Sequence, residues 1–136
     1  MASPSNSIIT TQQPRGGSAA LVGPANTNWV TPVNTVLVMT AGPNGARLTK
    51  LRCLQTGTVI ACQIQLFRSL DAGVTKRFAN DALMPAFTAL ATANLPVLDF
   101  GYSDANPMIM APNEQLYMAV GVATVQINVE LEWGDY

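Results

Sequence analysis

An all-β fold, an antiparallel sandwich or barrel of short strands, is what this 136-residue sequence predicts. Three observations carry that expectation. Short runs rich in apolar and β-branched residues recur along the chain, Gly, Pro and Asn punctuate them, and no stretch shows the period of a long amphipathic helix. The length suits one domain whose core needs no disulfide or metal staples.

The elements follow in order. Residues 1–16 are rich in Ser, Thr, Asn, Gln and Pro and end in Gln13-Pro14-Arg15-Gly16, which predicts an extended N-terminal arm leading into a single sandwich domain over 17–136. Residues 33–40 (VNTVLVMT) read as a strand, stopped by the turn Ala41-Gly42-Pro43-Asn44-Gly45. Strands are expected at 48–56 and 59–68 around Gly57-Thr58, and at 75–79 after the turn Leu70-Asp71-Ala72-Gly73. Pro85 argues against a long helix in 81–94, which reads as a helical turn or an irregular crossing loop. Residues 95–100, Met108–Met110, 115–122 and 125–133 complete the set.

Alternation proposes two hairpins. A two-residue loop at Gly57-Thr58 sets Leu51 against Ile64 and Cys53 against Cys62 on one face, with Lys50 against Gln65 and Arg52 against Gln63 on the other. Gln55 falls on the apolar face and Arg47 opposes Arg68, both against the pattern. A loop at Ala123-Thr124 sets Leu116 against Leu131, Met118 against Val129 and Val120 against Ile127, with Gln115–Glu132 and Tyr117–Glu130 outside. This pairing fits better than the first, although Ala-Thr is not a favoured tight-turn dipeptide and a longer loop is the alternative.

Composition narrows the function. Charged residues are only 11% of the chain while apolar residues are 49%, so the polar remainder is mostly Thr, Asn, Gln and Ser. Such a surface costs little to desolvate, and a net charge of −1 does little to oppose association. An obligate assembly component is expected. Arg15 is the one charged side chain in residues 1–46, and no basic run offers a footprint for nucleic acid or for a membrane surface. No apolar run approaches the ~18–20 residues of a spanning helix. Met1-Ala2-Ser3-Pro4 has no basic character and Ile8-Ile9 is too short for a signal core, so the expected product stays in the cytoplasm unless a particle carries it out.

Reactive chemistry is sparse. The chain has no His, which removes the commonest general base and the commonest metal ligand. It has no phosphate-binding loop, dinucleotide fingerprint, nucleophile elbow or zinc-type cysteine array. No catalytic, cofactor-binding or metal residue is therefore assigned, and no enzyme is expected. Glu130 and Glu132 share a strand face at roughly 7 Å, a separation within reach of glycosidase chemistry, but two solvated acids are the expected reading. Asp99 and Asp104 flank Phe100-Gly101-Tyr102 and are expected in turn and cap roles rather than around a cation. Cys53 and Cys62 are expected as a reduced, buried pair, with a cross-strand disulfide as the alternative. Trp29, Tyr102, Tyr117, Trp133 and Tyr136 are assigned to core packing or subunit contact ahead of a sugar-stacking platform. An aromatic end at Trp133-Gly134-Asp135-Tyr136 predicts a C-terminus tucked against its own sandwich or a neighbour.

Thr40-Ala41-Gly42-Pro43-Asn44-Gly45-Ala46-Arg47-Leu48 resembles the turn and strand "T-A-G-x-N-G-x-x-[LI]" of small virion proteins of tailed bacteriophages. Leu66-Phe67-Arg68-Ser69, Asp71-Ala72-Gly73, Pro112-Asn113-Glu114-Gln115-Leu116-Tyr117 and Gly134-Asp135-Tyr136 occur in the same order as in that group, so the likeness spans 33–136. The resemblance implies a jelly-roll-like sandwich on the capsid surface of the virion, of the head decoration (cement) type. Its partners would be the major capsid protein lattice and copies of itself, with a trimer favoured. A receptor- or carbohydrate-binding domain of a phage tail or fibre is the alternative. The resemblance implies no catalytic residue and no cofactor.

Overall fold

The computed structural model describes residues 11–136, without the side chains of 22, 23 and 124–126. Nine strands form among the described residues: β1 Gln13–Gly23, β2 Val36–Thr40, β3 Ala46–Gln55, β4 Cys62–Ser69, β5 Arg77–Met84, β6 Val97–Asp99, β7 Met108–Met110, β8 Gln115–Val120 and β9 Thr124–Asp135. They make two antiparallel sheets packed face to face. Sheet I has the order β1-β9-β3-β6, with β7 also paired to β3, and sheet II the order β2-β8-β4-β5. The expected all-β sandwich is what the chain adopts.

Neither expected hairpin forms. β3 lies in sheet I and β4 in sheet II, and β9 and β8 are divided in the same way. Cys53 pairs with Val129 and Leu98, and Cys62 pairs with Met84. The alternation itself is right: Leu116, Met118 and Val120 are buried on one sheet, and Ile127, Val129 and Leu131 on the other. Strands that face each other across a sandwich ~10 Å apart carry the same in–out pattern as hairpin partners ~4.8 Å apart. The segments around Gly57-Thr58 and Ala123-Thr124 carry the chain from one sheet to the other, and Ala-Thr is not a favoured tight-turn dipeptide. β4 and β5 are consecutive strands that do pair, from Cys62↔Met84 to Arg68↔Arg77.

Two further boundaries differ from expectation. Residues 13–16, expected in the arm, open β1, which runs beside β9 from Gln13↔Asp135 to Gly23↔Thr124. Residues 1–10 lie outside the described residues. Residues 81–84, expected in a crossing segment, continue β5, and Phe87 follows with an isolated bridge to Val59. Gly, Ala and Ser give β1 little intrinsic strand preference, so its pairing with β9 is a tertiary effect.

The core lies between the sheets, with Leu21, Leu48, Leu51, Cys53, Ile127 and Leu131 from sheet I against Met39, Ile64, Leu66, Met84, Leu116 and Met118 from sheet II. A register shift between Leu48 and Lys50 opposite β9 explains why Leu48 and Leu51 are both buried though three apart. It also leaves Arg47, Lys50 and Arg52 on the outer face. Gly45 closes the turn before β3 at φ 92°, where a Cβ would stand 2.7 Å from the Met110 carbonyl oxygen.

Candidate functional site

The two outer faces have different chemistry, and register assigns every side chain to its face. On sheet I the central strands present Glu130 and Glu132 from β9 and Arg47, Lys50 and Arg52 from β3. Lys50 Nζ lies 2.8 Å from Glu132 Oε2, and Arg52 Nη2 lies 2.7 Å from Glu130 Oε2. These are cross-strand ion pairs, set by the neighbours Lys50↔Glu132 and Arg52↔Glu130. The Lys50 ammonium holds the Glu132 carboxyl below its ordinary value. A general acid needs the opposite shift, so Glu132 is held as the anion of a surface ion pair.

Sheet II turns a different surface outward. On its outer side the central strands carry Gln115, Tyr117 and Ala119 from β8 and Gln63, Gln65 and Phe67 from β4, none of them charged, of which Gln65, Phe67 and Ala119 are buried. Register lines up Leu37, Tyr117, Phe67 and Phe78 in one row across all four strands. Phe67 and Phe78 meet edge to face with ring centres 5.6 Å apart, and Lys76 Nζ sits 4.7 Å above the Tyr117 ring. Gly73 stands at φ 90° against the Tyr117 hydroxyl, where any side chain would collide.

Residues 24–35 cross this face on their way from β1 to β2. Asn26 is fully buried, donating its side-chain amide to Gln65 Oε1 at 2.8 Å and accepting from Gln65 Nε2 through its own carbonyl at 3.1 Å. Its Oδ1 accepts from the backbone N–H of Val33 at 2.9 Å, and Trp29 Nε1 donates to Gln63 Oε1 at 3.2 Å. These bonds hold Trp29, Val30 and Val33 above the sheet with their apolar surface in solvent. With Leu37, Val74 and Phe78 they make an exposed apolar area rimmed by amides.

An open groove of about 800 Å³ flanks this face at the β5 and β7 side, lined among others by Arg68, Leu70, Phe78, Ile109 and Glu114. Arg68 sits at its head. Its Nη2 donates to Glu114 Oε1 at 2.9 Å and to the Ile109 carbonyl of sheet I at 2.8 Å, and its Nε donates to Glu114 Oε2. Glu114 also accepts from the Ala111 N–H at 2.8 Å. This cluster ties sheet II to sheet I.

The remaining residues singled out in the sequence do not converge. Asp99 Oδ1 accepts from the Gly101 N–H at 2.7 Å, a turn role, and the Asp104 carbonyl accepts from Arg47. No group of three Cys, Asp or Glu side chains comes together among the described residues. Cys53 and Cys62 are buried free thiols on the inner faces of opposite sheets, so the cross-strand disulfide is not formed. Burial, and next the nearby Cys62, push the Cys53 thiol up to about 12, and burial raises Cys62.

The aromatic side chains divide between surfaces. Trp29 and Tyr117 belong to sheet II's outer side, while Tyr102 and Trp133 pack against the core. The Tyr136 N–H donates to the Gly45 carbonyl at 3.1 Å, which ties down the last residue. Sequence reasoning missed Phe67 and Phe78. The signal was present, since an apolar residue out of phase with Ile64 and Leu66 must face outward. Comparison of the chain with known protein families, with curated proteins and with solved structures finds no match.

Proposed function

We propose that this chain is a structural protein of a bacteriophage particle, one that decorates and stabilises the capsid through lattice and subunit contacts. The observation that carries the proposal is the difference between the two sheet faces. A protein that meets water on one side and a shell on the other needs one hydrated face and one that desolvates readily. The ion pairs of Lys50–Glu132 and Arg52–Glu130 keep sheet I hydrated, whereas the outer side of sheet II is mainly aromatic and amide, with Asp81 beside Gln63 and Lys76 over Tyr117 as its charges, and loses less on being covered.

The strand order supports a jelly roll. Apart from β4–β5 and β6–β7, successive strands pass between the two sheets, and each sheet interleaves early with late strands, as two Greek keys require. That architecture serves capsid and lectin domains. The resemblance of residues 33–136 to head decoration proteins of tailed phages points to the same role. On this reading the chain needs no catalytic group, metal or cofactor, and its place is the capsid surface of the virion.

The test is co-sedimentation of the purified full chain with heads of the phage that encodes it. Saturable binding at a fixed ratio to the shell subunit is expected. Tyr117→Asp should weaken it at least ~10-fold, since a buried unpaired charge costs several kcal/mol, while Glu132→Gln on the other sheet should leave it unchanged. Heads that bind no chain, or that are indifferent to Tyr117→Asp, overturn the proposal. A receptor- or carbohydrate-binding role in a tail or fibre is the second reading, favoured by the exposed Trp29 ring held beside the Gln63 amide. Glycan-array binding that Trp29→Ala abolishes would select it.

A further inference from the structure

Among the described residues the two sheets have four edges, and three of them carry features that discourage pairing with another chain. The β6/β7 edge consists of two three-residue strands separated by residues 100–107. β2 has five residues and a register shift between Leu37 and Met39. β5 has eight, with Arg77 and Asp81 in it and a shift opposite Leu66/Phe67. β1 differs from all three. It is eleven residues long, has one charged side chain, Arg15, and keeps unbroken register with β9 as far as Leu21. Gly16, Ser18 and Ala20 lie exposed along it, small enough for a second strand to approach without obstruction. Alternate backbone groups of such a strand point away from its sheet without a ladder partner.

We propose that β1 is the seam of a homodimer, in which the β1 strands of two copies pair antiparallel about a twofold axis normal to sheet I at Ser18. The centre follows from the ends of the usable run. Pro14 has no N–H to give, and the register shift after Leu21 ends the regular stretch, so residues 15–21 pair best about their midpoint. Ser18 then faces the partner's Ser18, Gly16 faces the partner's Ala20, and Arg15 faces the partner's Leu21. No like charges meet.

The paired run 15–21 spans ~23 Å at ~3.3 Å per residue, and two packed sheets with their side chains are roughly 20 Å across, giving a flank of ~460 Å², at the low end of specific interfaces. A standard stable interface takes ~800 Å² from each partner. β1 also lies against β2 of sheet II, so the same axis brings the two β2 edges together. Val33 and Leu37 stand 57% and 46% exposed there and add apolar area to the backbone pairing.

The inference sets a twofold pair in place of the trimer that the resemblance favours, and it does not depend on the particle reading, since a dimer that ignores phage heads leaves it intact. Sedimentation equilibrium of the full chain tests it. Wild type is expected as a dimer at micromolar concentration. Ser18→Lys places two ammonium groups opposite each other at the axis, yet within its own sheet it faces Glu130, so it should fold normally and raise the dissociation constant at least ~10-fold. Mixing Ser18→Lys with Ser18→Glu should restore association. Ser18→Cys, treated with oxidised glutathione, should give a disulfide-linked dimer, the two thiols being oxidised as the glutathione is reduced. Wild type sedimenting as a monomer or a trimer, a Ser18→Lys variant that associates like wild type, or a Ser18→Cys variant that gives no covalent dimer overturns the proposal.

Discussion

Arg68 and Glu114 form a two-pronged ion pair at the head of the groove between the sheets, with the Glu114 side chain 3% exposed and that of Arg68 34%. The same guanidinium reaches the Ile109 carbonyl of the opposite sheet, so the pair acts as a clasp between layers. Removing the cation leaves a buried carboxylate with the Ala111 N–H as its remaining bonded neighbour among the described residues. Arg68→Met should therefore cost about 3 kcal/mol, the lower end for breaking a buried pair because Arg68 is partly solvated. Urea unfolding measures this, and Arg68→Met/Glu114→Gln should recover part of the loss. A midpoint unchanged by Arg68→Met would show that the clasp contributes nothing.

Burial raises the Cys53 thiol from 9.0 to about 12. The unfolded chain releases this proton near pH 9 while the folded chain retains it, so the contribution to stability is complete below pH 9 and is lost as pH rises toward 12. The expected slope is roughly 1.4 kcal/mol per pH unit within that window. Cys53→Ala should flatten the slope between pH 9 and 11. Both thiols should ignore an aromatic disulfide reagent at pH 8 in the native protein and react once urea unfolds it. Fast native labelling would contradict their burial.

Gln55 sits 1% exposed on the inner face of β3, and among the described residues neither its Oε1 nor its Nε2 has a hydrogen-bond partner. An unpaired buried amide costs ~1–3 kcal/mol. Gln55→Met keeps the shape and removes the polar atoms, so it should raise stability by about 1 kcal/mol, read as a higher melting temperature. A lower melting temperature would mean that the amide is favourably placed.

Gly45 combines a left-handed backbone with a carbonyl where its Cβ would go. Gly45→Ala should cost ~1–3 kcal/mol, measurable by calorimetry. Gly101, at φ 86° with nothing within 4 Å of its Cβ, should suffer less from the same change.

The faces of the sheets were legible in the residues because side chains alternate with period two. Leu116, Met118 and Val120, and Ile127, Val129 and Leu131, declare their inward direction by spacing alone. Even Gln55, which broke the pattern on an apolar face, proved to be buried there. The ion pairs Lys50–Glu132 and Arg52–Glu130 were not legible, since they required β3 to lie beside β9, eighty residues away in sequence.

By itself, then, the order of amino acids determined that this chain makes strands, where most of them fall, and which side of each is apolar. Only the tertiary structure decided which strands are neighbours. Alternation is a property of one strand and the core, and it is the same whether the facing apolar row belongs to the next strand or to the other sheet. The choice rests on turn chemistry and on long-range pairing, which is also why the weakly strand-forming β1 became an edge only in the presence of β9.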